Sequence, residues 1–278
     1  MTQPLHGAVG ALWRYPVKSM MGEELNAAEV TQRGLRGDRS YALVDRADGK
    51  VATAKNPRKW PRLFDFRSAF IDPSSPGGDA PVRITLPDGT MIVSDRDDCD
   101  EILSKALGRE VSLDAVEDGE VATAPSVKAE EYWPDMEGLA HRETVTDFAL
   151  PAGTFFDCAV IHLLTTATLD RLSELYPQGR FEARRFRPNI VIQPAPDAPG
   201  FVEDAWIGST IAIGDEVRLS VTGPCGRCVM TTLTQGDLPK DVGILRTAAQ
   251  HHNATVGVYA AVTHGGMIRR GDPVRLVA

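Results

Sequence analysis

Long basic runs, long apolar runs and a cysteine framework are all missing from this sequence, and each absence closes off a class of function. Thirty Lys and Arg against 38 Asp and Glu give a net charge of −8. With no basic tract to follow a phosphate backbone, nucleic acid is not an expected partner. A small anionic ligand stays open, because it needs only a local basic pocket. No window approaches the ~18 apolar residues at which a helix begins to span a bilayer. In the opening stretch MTQPLHGAVGALWRYPVKS, His6 and Arg14 interrupt the apolar character that a leader peptide would keep continuous. No membrane attachment is expected, and the expected compartment is the cytosol. Four cysteines, Cys99, Cys158, Cys225 and Cys228, are too few for a disulfide framework in 278 residues. They are expected to be reduced thiols, one of them working.

What is present is an ordinary globular composition, 42% hydrophobic and 24% charged, in a chain long enough for one large domain or two ordinary ones. Strand signals dominate. Residues 7–15 form an apolar segment broken by Pro16, and SYALVD at 40–45 leads into the turn Asp48-Gly49 as a hairpin would. VRITL and TMIV flank the turn Pro87-Asp88-Gly89 as a second hairpin. Ile102, Leu103 and Leu107 have helical spacing and meet a glycine stop at Gly108. From 114 to 142 the apolar density drops, as in a loop or an inter-domain connection, and DPSSPGGDA at 72–80 reads as a flexible loop. Further strands are expected at 159–164, 189–192, 210–213, 216–221, 256–262 and after Asp272-Pro273. Helices are expected at 166–176 and 241–250. Many short strands with few helices suggest barrels or twisted sheets with appended helices.

Four stretches could carry chemistry. Tyr15-Pro16-Val17-Lys18-Ser19 presents an ammonium and a hydroxyl just after a strand-ending proline, a combination that suits an oxyanion but equally a solvated turn. In Gly34-Leu35-Arg36-Gly37-Asp38-Arg39, two glycines permit close backbone approach and two arginines offer bidentate donors, unless Asp38 merely neutralises one on the surface. Arg184, Arg185 and Arg187 lead directly into the apolar strand after Asn189. Charge so close to a core needs a partner, and an anion site has an edge over structural ion pairs. In GPCGRCVMTT, Cys225 and Cys228 lack the second pair of ligands that zinc requires. The strand-like continuation through Met230 to Leu233 weakens a helix-start redox pair. Arg227 beside Cys228 favours thiolate, the form that binds transition metals, yet a structural cysteine is the commoner use and these residues alone assign no metal.

Taken in order, YPVKSM, GLRGDRSYALVD, FRPNIVI, CGRCVMTT and GDPVRL resemble the MOSC family, named for the C-terminal domain of molybdenum cofactor sulfurase. The likeness is greatest to its two-part members that include the amidoxime-reducing components. The resemblance implies a mainly β fold: a MOSC β-barrel domain at 121–278 and a smaller, β-barrel-like N-terminal domain at 1–120, with a few appended helices and a border open to discontinuous segments. It implies the molybdenum cofactor, a pterin dithiolene with a terminal phosphate. Cys228 falls on the family's metal-ligating cysteine, Arg187 and Asn189 on its FRPN segment, and Lys18, Ser19 and Arg39 on positions that hold pterin and phosphate. Thr165 and Thr166 match hydroxyl positions near the cofactor more loosely, and Arg227 and Tyr259 complete the set.

The implied activity is reduction of a small N-hydroxylated substrate, with electrons from a separate donor protein of ferredoxin or flavin-reductase type. A cofactor carrier or sulfur-transfer protein using Cys228 is the alternative, and a cofactor-free binding module a third. Cys225 has no assigned role.

Overall fold

The computed structural model describes residues 5–73, 80–116, 127–133 and 143–277. The first half contains β1 (Leu5–Arg14), β2 (Glu23–Leu25), β3 (Ala27–Thr31), β4 (Gly34–Leu35), β5 (Tyr41–Asp45), β6 (Arg67–Phe70), β7 (Val82–Thr85), β8 (Met91–Val93), α1 (Cys99–Leu107) and β9 (Val111–Ala115). Then follow β10 (Lys128–Trp133), β11 (Thr144–Ala149), β12 (Ile161–Thr165), α2 (Thr166–Leu175), α3 (Ala183–Phe186) and β13 (Ile190–Pro194). The chain continues through β14 (Thr210–Ile213), β15 (Val217–Gly226), α4 (Gly243–His252), β16 (Thr255–His264), β17 (Gly266–Arg269) and β18 (Pro273–Val277).

Seven strands close a barrel in the order β13-β12-β16-β15-β14-β18-β1, with β1 pairing back onto β13 and β2 added beside β1. Closure removes the open edges that would otherwise template association. The first strand of the chain therefore lies between the last strand, β18, and β13 from the middle. Alternation explains the filling: Val217, Leu219 and Val221 of β15 point inward with polar residues between them. They meet Val9, Leu12, Leu163, Ile190, Ile192, Ile211 and Val258 in one apolar cluster. A second core gathers Trp60, Phe64, Phe66, Phe70, Ile84 and Leu103 beneath the β5–β9 and β6–β7–β8 sheets.

The mainly β expectation holds, with four α-helices among the described residues. The hairpin at 82–93 forms, and α1 stops at Gly108, whose φ of 66° is the left-handed conformation that glycine adopts without strain. The turn at Asp48-Gly49 also forms, but β5 finds its ladder in β9, and only a bridge from Val44 to Val51 marks the hairpin.

Two expectations need correction. The low-apolar stretch 114–142 contains a strand, β10, zipped along its length to β11; its side chains Glu130 and Glu131 are held by Lys50 and Lys55, which charge-poor strand patterns do not anticipate. Residues 117–126 and 134–142 of that stretch, and 74–79 of the expected flexible loop, lie outside the described residues. After Cys228 the chain turns into a 3-10 segment, Val229–Thr232, where a strand-like continuation was expected. The Thr231 and Thr232 hydroxyls bond back to the carbonyls of Cys228 and Val229, an alternative to a ladder that threonines readily take.

Candidate functional site

The ladder between β15 and β16 slips between Val221 and Gly223 and again between Pro224 and Gly226. Such bulges re-aim the strand end. They turn Cys225 inward, fully buried, and release Arg227 and Cys228 at the rim of a cavity of about 360 Å³. Lys18, Ser19 and Arg39 reach the same cavity from the first part of the chain, and Arg187, Asn189 and Tyr259 from the second. Eight of the sequence-nominated residues therefore share one cavity.

Thr165 and Thr166 are not brought there. Thr165 ends β12 and caps α2, accepting from Thr168 N at 3.2 Å and donating to Glu203 Oε2 at 2.6 Å with no exposure. Thr166 lines a separate depression with Asp170, Arg171 and Gly200.

Three cavity residues also have left-handed backbone. Ser19, Arg39 and Arg187 have φ of 64°, 50° and 54°, a left-handed conformation that costs a residue with a Cβ on the order of 1 kcal/mol. Each is overdetermined by its surroundings. Arg187 donates to Met20 O at 2.7 Å and lies 4.1 Å from the Tyr15 ring centroid, while Arg39 covers the same ring at 4.9 Å and pairs with Asp38. Asp38 also accepts from Tyr15 N at 2.8 Å and from Asn189 Nδ2 at 2.8 Å. Asn189 Oδ1 accepts from His162 N at 3.1 Å, tying the loop after β4 to β12 through one amide. Asp38 is thus a buried clamp, whereas sequence alone left it open to a surface role.

The three clustered arginines divide. Arg185 is buried and donates to the carbonyls of Arg180, Thr231, Leu233 and Pro239, and Arg184 pairs with Glu182 and Asp237. Only Arg187 faces the cavity.

The cavity also gathers groups that carry no local motif. Lys55, Glu131, Trp133, Asp157, Cys158 and His162 line it. Asp157 accepts from Lys18 Nζ at 2.5 Å and lies 3.4 Å from Lys55 Nζ. Burial works against that carboxylate, yet the charges of Lys18 and Lys55 hold it well below the usual range. Lys18, Arg39, Lys55, Arg187 and Arg227 against Glu131, Asp157 and the Cys225 thiolate leave two positive charges in excess at neutral pH, a locally cationic pocket in a chain of net charge −8.

The two thiols of GPCGRC differ. Arg227 turns away from its neighbour: Nη1 donates to Cys225 Sγ at 2.8 Å and Nη2 to Phe186 O at 2.9 Å. Burial opposes the Cys225 thiolate, but Arg227 and then His162 pull that thiol down to about 6. At half-buried Cys228, burial pushes the thiol up, against Lys55 and the backbone N–H of Met230. The cation nearest in effect to Cys228 is Lys55, which sequence reasoning missed because the two lie far apart in the chain and no local pattern signals their meeting.

Residues 151–275 match the MOSC domain, and residues 6–126 match the MOSC N-terminal beta barrel domain. The chain is a MOSC-domain protein. Across both segments it is similar to mitochondrial amidoxime reducing component 2 of Bos taurus, 26% identical over 96% of this chain and 82% of the relative. The same protein from Rattus norvegicus is 28% identical over 96% and 82%, and mitochondrial amidoxime-reducing component 1 of Mus musculus 27% over 98% and 82%. Among solved structures, YUAD protein from Bacillus subtilis aligns over 99% of this chain and 97% of its own at 13% identity and a TM-score of 0.49. The MOSC segment supplies Asp157, Cys158, His162, Arg187, Asn189, Arg227, Cys228 and Tyr259 to the cavity, and the N-terminal segment Lys18, Ser19, Arg39 and Lys55. Among the described residues, no helix is long and apolar enough to cross a membrane.

Proposed function

We propose that this chain is a molybdenum-cofactor-dependent reductase of small N-hydroxylated compounds, with Cys228 as the protein's ligand to the metal. The observation that carries the reading is a half-buried thiol in a cationic cavity walled by residues in strained conformations. A pterin dithiolene with a terminal phosphate is anionic and rich in acceptors, and the donor set fits it: Lys18, Ser19, Arg39 and Arg187 would hold pterin and phosphate, with Asn189, Arg227 and Tyr259 flanking. Among the described residues, no three His, Cys, Asp or Glu side chains converge to hold a metal by themselves. A metal here would need ligands from its own organic group, as a dithiolene provides, plus one soft thiolate.

When bound, the cofactor would supply the redox chemistry, in which an N–OH group takes up two electrons and two protons and leaves as N–H and water. The chain's part is to bind, orient and tune. Lys55, beside Cys228, opposes the effect of burial and favours its thiolate. The Lys18–Asp157 pair holds the ammonium within the pocket. Electrons would come from a separate donor protein of ferredoxin or flavin-reductase type. The names of the relatives support an amidoxime-like substrate, and four free cysteines support a reducing compartment such as the cytosol.

The test is to produce the protein in a host that makes the cofactor and to measure bound molybdenum and pterin. Both are expected, and a protein carrying neither overturns the reading. Cys228→Ala is expected to lose the metal and the reduction of benzamidoxime by an artificial donor. Unchanged turnover in that variant removes Cys228 as ligand. Bound molybdenum without any reduction favours the cofactor-carrier or sulfur-transfer alternative.

A further inference from the structure

Most apolar side chains around the cavity are committed elsewhere. Phe156 and Phe186 are buried, and Met230 packs on the second core. Trp133 differs: it lines the cavity and is 42% exposed, the one cavity-lining residue among the exposed large hydrophobics described. It is the last residue of β10, and its indole Nε1 donates across the hairpin to Thr146 Oγ1 at 2.9 Å. That bond fixes the ring's one polar atom on the protein, leaving apolar ring surface in contact with solvent. Period-two geometry puts Glu131 on the same face of β10, and Glu131 also lines the cavity, so this face of the hairpin forms one wall. The cations enter from other elements: Lys18 and Arg39 from the first part of the chain, Arg187 from the segment after α3, Arg227 from the end of β15.

A wall holding an anchored, exposed indole recognises a flat apolar group, because stacking removes both faces from water and adds ring–ring attraction. We propose that Trp133 is the specificity-determining residue of the cavity and selects N-hydroxylated substrates bearing a planar aromatic group over aliphatic ones. This proposal rests on the reductase reading for its substrate chemistry, but the platform itself can be tested by binding alone.

Two measurements separate the two. Isothermal titration calorimetry of the intact protein with benzamidoxime is expected to show saturable binding that weakens roughly three- to tenfold in Trp133→Ala, the range that one aromatic contact spans. Trp133→Phe, which keeps a ring, is expected to restore most of the affinity. In turnover with an artificial donor, the ratio of kcat/KM for benzamidoxime over acetamidoxime is expected to fall by a similar factor in Trp133→Ala and to recover in Trp133→Phe. Equal binding by wild type and Trp133→Ala, or an unchanged ratio, overturns the platform. Trp133-dependent binding with no reduction of either compound keeps the platform and overturns the reductase.

Discussion

Arg227 precedes Cys228 in the chain, yet its guanidinium is spent on Cys225. Adjacent side chains in extended backbone point to opposite faces, so the cation one residue away is the wrong place to look for a partner and the one two away is the right one. The expectation that Arg227 favours the Cys228 thiolate holds, but there it acts behind Lys55 and the Met230 N–H, and its leading effect falls on Cys225. A pH signature follows. The Cys225 thiol is drawn down to about 6 in the folded protein against about 8.5 for a free cysteine. A depressed value means the folded state sheds its proton first, so the stabilisation is complete above about 8.5, shrinks as pH falls, and is gone below about 6. In cofactor-free protein, the urea midpoint of wild type should exceed that of Cys225→Ser by a margin that grows from pH 6 to pH 9. A margin independent of pH would show that Cys225 stays protonated. The same variant is expected to keep its molybdenum when produced with cofactor, because the proposed ligand is Cys228.

At the scale of elements, what could be read in advance was what local patterns encode. Alternating apolar residues gave away β7, β12, β14, β15 and β16, and the Gly108 stop gave away α1. Strand β10 escaped because its sequence KAEEYW has two adjacent glutamates and no apolar alternation, and its partners Lys50 and Lys55 lie far earlier in the chain. The motif-bearing half of the site was legible for the same reason: YPVKS, GLRGDR and FRPN each sit on a short connection containing left-handed backbone, and CGRC on the bulged end of β15. Lys55, Asp157, His162 and Trp133 were not, since each becomes a site residue only through tertiary assembly. The junction of β12 and α2 shows the reverse case, a motif-like Thr165-Thr166 whose first hydroxyl is consumed by capping and by Glu203. Thr165→Ala should remove the cap and strip a buried carboxylate of a donor, costing about 2 kcal/mol. Unfolding by urea should show that loss, Thr165→Ser should recover most of it, and molybdenum content should be unaffected in both. A loss of cofactor at undiminished stability would return Thr165 to the site.

For the whole molecule, the decisive feature is that the barrel is not contiguous in sequence. β1 makes antiparallel ladders with β13 on one side and β18 on the other, and contributes Val9 and Leu12 to the core. A fragment of residues 121–278 would leave both of those strands with open edges and a gap where two buried aliphatic side chains belong. It should therefore lack a cooperative urea transition. The repair is geometrically simple, because β18 and β1 are neighbours in antiparallel register, with Leu5 opposite Arg275. A short flexible linker from the end of β18 into residues 1–15 would return the strand as a hairpin, and that chain, 121–278 followed by linker and 1–15, should unfold cooperatively. It should still bind no cofactor, since Lys18, Ser19, Arg39 and Lys55 are missing and Arg187 has lost the Met20 carbonyl that holds it in its left-handed conformation. Cooperative unfolding of 121–278 alone would mean that β1 is an ornament on a self-sufficient barrel. Cofactor binding by the repaired fragment would mean that the cations of the first segment are dispensable, and with them the reason for joining the two segments in one chain.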